Sequence, residues 1–353
     1  MGTVKDGNHA AVHPTQYRLL PPADFFYRPR AERGERTKGT RFIELNVKSL
    51  ANSPKSTGME FWSINPYVGC EFGCAYCYAH YTHRYVVERT VDSDSQRSTA
   101  FGRHIFVKQR RAVLSALEHD LVRINRSSSP DKPAMLTIGT ATDPYQPAER
   151  HFGITRSILE RLLTAETLRL GITTKSPLVC RDIDLLRELG RKHQVTVFFS
   201  LICNSSRLIK LFEQRTPSPL SRLQALRQLR EAGISAGINA APVLPGITDS
   251  MFEIDALAAA AKEAGANFVC PSVLRIYPSV RDTFLPVVER HFPNLVLRYR
   301  AAYREGRNAP ANYLTAIKRR FERVARKHRV NSADPFQRDE RPPARPEAQL
   351  SLL

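Results

Sequence analysis

Apolar and polar positions along this chain follow two periods that take turns. Short apolar runs at 135–140, 168–174, 195–202, 234–243 and 266–274 read as strands, since nearly continuous apolar stretches suit strands covered on both faces. Between them, segments 155–164, 182–192, 219–232 and 250–264 place apolar residues three and four apart and read as helices with one buried stripe. Gly233 and Gly265 fall where helix C-caps belong. Strand-helix repetition predicts parallel strands joined by crossover helices, hence an α/β barrel or an open α/β sheet. In such folds the chemistry lies at the C-terminal ends of the strands.

The flanks are patterned differently. Residues 1–55 are polar and nearly aperiodic, with Pro21-Pro22, Pro29 and a charged run at 28–38, and read as an irregular N-terminal arm. The core then spans 56–280. A basic helical extension over 281–330 carries an apolar stripe of Tyr313, Ile317, Phe321, Val324 and Ala325, with Lys318, Arg319, Arg320, Arg323, Arg326 and Lys327 filling the rest. Residues 331–353 are expected to form a disordered tail, Pro/Arg/Glu-rich up to 348.

Charge narrows the class of partner. The 353 residues carry 53 Lys and Arg against 34 Asp and Glu, a formal net charge of +19. Eleven of those cations and two Glu lie within 298–330. Such an excess points to a polyanion, most simply nucleic acid; a solvated basic face is the plainer alternative. No run is long enough for an apolar membrane span, and the first residues have no apolar signal core. A cytoplasmic protein is expected.

Three of the six cysteines, Cys70, Cys74 and Cys77, are spaced C-x3-C-x2-C in one short loop. In a cytosolic chain such clustering favours metal over disulfides. Three thiolates hold three irons of a [4Fe–4S] cube and leave the fourth iron open to a small molecule. Gly69 and Gly73 let the backbone bend around so bulky a group. A structural zinc site completed by His80 or His83 is the rival reading; an electron-transfer cluster would need a fourth cysteine. Cys180, Cys203 and Cys270 read as small core residues.

Taken with Tyr76 before the third cysteine and the strand-helix repeat, the trio resembles the radical S-adenosylmethionine enzymes, and more narrowly their spore photoproduct lyase-related branch, over roughly residues 60–280. Further segments similar to that branch are 139–149, Thr174-Lys175-Ser176 with Arg181-Asp182, Phe199-Ser200-Leu201, Thr216-Pro217-Ser218-Pro219 leading to Arg222-Leu223, and 242–249. The resemblance implies a partial (β/α)6 barrel of the TIM type. Its implied cofactors are a [4Fe–4S] cluster on Cys70, Cys74 and Cys77 and S-adenosylmethionine on the open iron. Reductive cleavage would give a 5′-deoxyadenosyl radical that takes hydrogen from substrate, with flavodoxin or ferredoxin as electron donor.

The same resemblance suggests roles for single residues. Asp143 or Glu149 would accept from the cofactor's ammonium, Lys175 would meet its carboxylate, Ser200 would meet its ribose, and Ser176 belongs to the same cofactor-binding segment. Tyr76 and Tyr78 match two lyase tyrosines, one of them a candidate radical relay. The lyases also place a hydrogen-donating cysteine at the end of the second strand, where this chain has Gly139, Thr140 and Ala141; Cys180 and Cys203 are the candidate substitutes. DNA lesion repair by a lyase-like reaction is the function implied. The alternatives are modification of RNA, protein or a metabolite, or a non-catalytic DNA-associated metal protein. Finally, Gln349-Leu350-Ser351-Leu352-Leu353 resembles the terminal peptide by which repair proteins hold the sliding clamp, carried on a Pro/Arg tether.

Overall fold

The computed structural model describes residues 17–19, 40–83, 86, 101–129 and 131–336. Its strands are β1 (Tyr17–Leu19), β2 (Arg41–Leu45), β3 (Ala51–Asn52), β4 (Trp62–Ile64), β5 (Tyr67–Val68), β6 (His104–Lys108), β7 (Ala134–Ile138), β8 (Leu168–Thr174), β9 (Gln194–Ser200), β10 (Ser235–Val243) and β11 (Val269–Val273). Seven of them form one sheet in the order β11-β10-β9-β8-β7-β4-β3. The six from β4 to β11 within it are mutually parallel, and β3 closes one edge antiparallel. These six are the strands of the expected partial barrel, left open between β3 and β11. A smaller sheet, β1-β2-β6-β5, stands beside it.

The two faces of the large sheet differ in composition, and the register shows how. Ile64, Ile138, Ile172, Val197 and Ala236 lie in one cross-strand row, and all are fully buried. That row belongs to the main core, shared with Leu162, Leu186, Leu189, Leu229 and Leu257 of the crossover helices. The next row, on the opposite face, reads Ser63, Thr137, Gly171, Thr196 and Ser235. The small and polar side chains of that row leave space on the inner face that another part of the chain fills.

The inner face has a stopper at one end. Phe336 packs with Phe198, Phe268 and Cys270, and the Arg169 guanidinium carbon lies 5.3 Å from its ring centroid. A Cβ at Gly171 would meet the Phe336 ring at 2.5 Å, so the glycine makes room for it. The expectation of disorder from residue 331 is therefore corrected for 331–336: Asn331 bridges to Phe268, and aromatic burial holds the segment down. The Gln349–Leu353 peptide lies outside the described residues, as does most of the N-terminal arm.

The extension folds into helices Pro278–His291, Val296–Ala302 and Ala311–His328. Ile317, Phe321, Val324 and Ala325 are buried, as their spacing requires. Tyr313 donates to Asp249 (2.7 Å), Arg320 to the Asp249 carbonyl (2.7 Å) and Lys327 to Asp255 (2.7 Å). These bonds fix the last helix against helix Met251–Glu263. Lys318, Arg319, Arg323 and Arg326 stay exposed. Among the described residues no helix is long and apolar enough to cross a membrane.

Candidate active site

The cysteine loop leaves β5 and is stitched to its surroundings by backbone bonds. Gly69 turns it with φ +85°, and a Cβ there would sit 2.7 Å from the His104 carbonyl, which only glycine tolerates. The Gly69 carbonyl accepts from Thr142 (2.7 Å) and Gln146 (3.2 Å), and Glu71 accepts from the Ala148 amide (2.6 Å). Further on, the Ala75 amide donates to the Phe212 carbonyl (2.8 Å), and Thr283 donates to the Ala75 carbonyl (2.6 Å). The loop therefore spans the ends of several strands instead of hanging free. Cys70 and Cys74 are buried and Cys77 half-buried, all three as free thiols. Burial pushes the Cys74 thiol up to about 12 and raises Cys70 and Cys77 as well. Desolvated thiols of this kind become thiolates only on binding a positive centre.

Beneath the loop lies a charged cluster whose acid, Glu213, the sequence pattern did not single out. Glu213 and Arg222 form a salt bridge with both side chains fully buried. Arg222 also donates to the Ser200 carbonyl (2.8 Å) and the Pro217 carbonyl (3.0 Å), and Thr216 donates to Glu213 (2.9 Å). The Tyr76 phenol donates to Glu213. Burial raises the Glu213 carboxyl, but Arg222 and Lys175 outweigh it and hold the pKa below the ordinary range. Burial, reinforced by the facing Glu213 charge, lifts the Tyr76 phenol well above its usual value. Tyr76 is thus anchored as a neutral hydrogen-bond donor.

Lys175 follows β8, and its Nζ lies 5.8 Å from the Tyr76 ring centroid. Among the described residues this ammonium makes no hydrogen bond. Burial alone would lower its pKa, but Cys74 and Glu213 raise it overall, so the charge persists. Ser200 ends β9 on the inner face, which it shares with Thr196 and Phe198; its hydroxyl likewise has no intramolecular bond among the described residues. Two groups named from sequence therefore point to the strand ends with their polar atoms uncommitted.

Asp143, Glu149 and Ser176 are committed elsewhere. Asp143 accepts from the Tyr145 amide (2.9 Å), the Thr174 hydroxyl (2.7 Å) and the Lys175 amide (2.7 Å), which ties the loop after β7 to the end of β8. Glu149, fully buried, accepts from Tyr67 (2.5 Å), the Thr155 amide (2.9 Å), the Arg156 amide (3.1 Å) and Arg181 (2.9 Å). Four donors fill its lone pairs, so it braces the loops around it. Ser176 accepts from the Leu178 amide (3.2 Å) and caps a short helix. Tyr78 donates to the Thr140 carbonyl and leaves its ring 40% exposed at the rim.

Of the two histidines of the zinc reading, His83 gives its Nε2 to the His104 carbonyl (2.9 Å), while His80 stacks on Phe101 with ring centroids 4.0 Å apart and its buried Nε2 has no hydrogen-bond partner among the described residues. Among the described residues no three His, Cys, Asp or Glu side chains gather around one ion; cysteines that each hold a separate corner of a cube need no such convergence. Of the spare thiols, Cys180 faces the Ala225 carbonyl (3.5 Å) on a crossover helix, and fully buried Cys203 faces the Ser205 carbonyl (3.8 Å).

Comparison with known families matches residues 64–258 to the radical SAM superfamily. That match covers more than half of the chain. The chain belongs to this superfamily. Its radical SAM fold is like that of spore photoproduct lyase complexed with dinucleoside spore photoproduct, with a TM-score of 0.60 at 17% identity over 81% of this chain and 79% of the other. A lyase mutant with bound AdoMet and the same photoproduct aligns at TM-score 0.56 and 18% identity, over 76% of this chain and 74% of that one. An uncharacterized protein of Mycobacterium tuberculosis is 32% identical over 92% of this chain and 89% of its own length. Another, from Methanocaldococcus jannaschii, is 28% identical over 59% of this chain and 69% of its own.

Radical SAM enzymes use a [4Fe–4S] cluster and S-adenosylmethionine, and these are the cofactors of this chain. The site suits both. Three desolvated free thiols on one loop have the right donor chemistry for a cluster. An ammonium with no hydrogen-bond partner among the described residues stands near Cys74 for a carboxylate, and the Ser200 hydroxyl, likewise unpaired among them, closes the neighbouring strand.

Proposed function

We propose that this radical SAM protein is an enzyme acting on nucleic acid, with a DNA base lesion as substrate and a lyase-like reaction. The observation that carries the substrate class is the charge: +19 overall, with Lys318, Arg319, Arg323 and Arg326 exposed on the docked helix Ala311–His328. The likeness to lyases crystallised with a dinucleoside photoproduct supports the lesion reading.

When bound, the cluster and S-adenosylmethionine supply an electron and a 5′-deoxyadenosyl radical for hydrogen abstraction. The residues of this chain do the remaining work. Cys70, Cys74 and Cys77 would hold three irons. Lys175 would pair with the methionyl carboxylate, Ser200 would bond the ribose, and Tyr76, locked on Glu213, would keep the third cysteine's turn in place. The small inner-face side chains leave room for the cofactor, while Phe336 closes the far end to water. Tyr78 stands at the rim between the cysteine loop and Thr140, where a substrate enters. Cys180 and Cys203 face the Ala225 and Ser205 carbonyls, so a cysteine quench of the product is not part of the proposal.

Anaerobically purified protein should be brown and release 5′-deoxyadenosine with dithionite, and ultraviolet-irradiated DNA should stimulate that release over unirradiated DNA and bulk RNA. Stimulation by RNA alone would replace the lesion reading with RNA modification. Stimulation by neither removes the nucleic-acid substrate.

A further inference from the structure

Beside the proposed active site is a group of aromatic and cationic side chains, with Tyr277 packed against the core and Tyr78 and Tyr81 exposed. Tyr81 lies one helical turn beyond Cys77 and is 50% exposed. It stacks on Tyr277, with ring centroids 5.7 Å apart and planes 17° apart. Tyr78, 40% exposed, meets the same Tyr277 ring at 6.3 Å. The Arg307 guanidinium carbon lies 5.2 Å from the Tyr277 centroid.

Three separate parts of the chain are brought together here, and each is fixed by its backbone. Tyr277 precedes helix Pro278–His291, at the strand-end side of β11. Arg307 is held next to it because the Ile276 amide donates to the Arg307 carbonyl (2.9 Å) and Arg275 bridges to Asn308. Tyr303, which donates to the Leu274 carbonyl (2.9 Å), braces the same turn. Tyr78 is fixed from the other side by Thr140. Four planar groups are thus presented near the rim on rigid supports, with exposed Arg275 alongside.

Tyr81 is half exposed and already stacks on half-buried Tyr277, so a further planar group can join the stack on its solvent side. Nucleobases have flat faces of matching size, and their phosphates match Arg275 and Arg307. We propose that Tyr81, Tyr277 and Arg307 form a stacking platform for an unpaired nucleobase next to the reacting nucleotide. The inference rests on the nucleic-acid reading above and deepens it: duplex must be opened, or a base turned out, for the platform to be filled. The sequence-tolerant nature of stacking lets the platform hold a neighbour of the lesion whatever its base.

The test is anisotropy of a short fluorescein-labelled oligothymidylate with full-length wild type, Tyr81→Ala, Tyr81→Phe and Arg307→Ala, repeated with an oligonucleotide carrying abasic sugars at its centre. Circular dichroism of each variant checks that it is folded. Tyr81→Ala should bind the normal strand about tenfold more weakly, a loss of the size that removing one base stack gives, while Tyr81→Phe, which keeps the ring, binds like wild type. On the abasic strand wild type and Tyr81→Ala should be equal, because no base remains to stack. Arg307→Ala should lose affinity and flatten the salt dependence. If wild type binds and Tyr81→Ala binds the normal strand as tightly as wild type does, the platform is overturned and the nucleic-acid reading survives on its charge. If wild type binds neither strand at low salt, both fall together.

Discussion

At the scale of single residues, the site depends on how each polar atom is occupied. Asp143 and Glu149 have the right chemistry to meet an ammonium, but backbone amides and Arg181 saturate them. Lys175 is the opposite case: half-buried, charged and without a hydrogen bond among the described residues. Lys175→Met should weaken S-adenosylmethionine binding by about 10- to 100-fold, the worth of a charge-assisted bond, with iron content unchanged; equilibrium dialysis and iron analysis measure the two separately. The Glu213–Arg222 pair supports the loop from below. Glu213→Gln leaves Arg222 buried without its counter-charge and should cost about 3–5 kcal/mol in denaturant unfolding. Adding Arg222→Met to that variant should recover part of the loss, because the uncompensated charge is then gone.

At the scale of elements, the strands and crossover helices follow their periodicity closely. The run at 168–174 is β8 to the residue, and 219–232 is the helix Pro219–Glu231 with one residue trimmed. Apolar side chains on the helix-facing rows hold these elements wherever the chain repeats. Irregular elements were less legible. The segment 331–336 looked like the start of a disordered tail because its composition is polar, yet one aromatic, Phe336, finds a slot that Gly171 leaves open across the sheet. Phe336→Ala should therefore cost about 3 kcal/mol, as other buried phenylalanine truncations do, read as a lower denaturant midpoint with an unchanged slope. A Phe336→Leu variant should recover much of it.

At the scale of the whole molecule, charge and openness set the partner. The basic helix Ala311–His328 spends Arg320 and Lys327 on Asp249 and Asp255, while Lys318 and Arg319 face solvent. Replacing those two by Glu should reduce the salt slope of DNA binding by up to about two counterions, with the cofactor site untouched; titrations across a salt series measure it. The sequence by itself determined the α/β class, the strand order in the chain, the cysteine trio and the basic extension, because period, spacing and charge are local quantities. Only the tertiary structure decided which carboxylates brace the scaffold and that Lys175 makes no hydrogen bond among the described residues, since a hydrogen bond's partner is set by distances across many residues. It alone joined Glu213 to Arg222 and Tyr81 to Tyr277 and Arg307, because side chains from separate loops meet only when the strand ends converge.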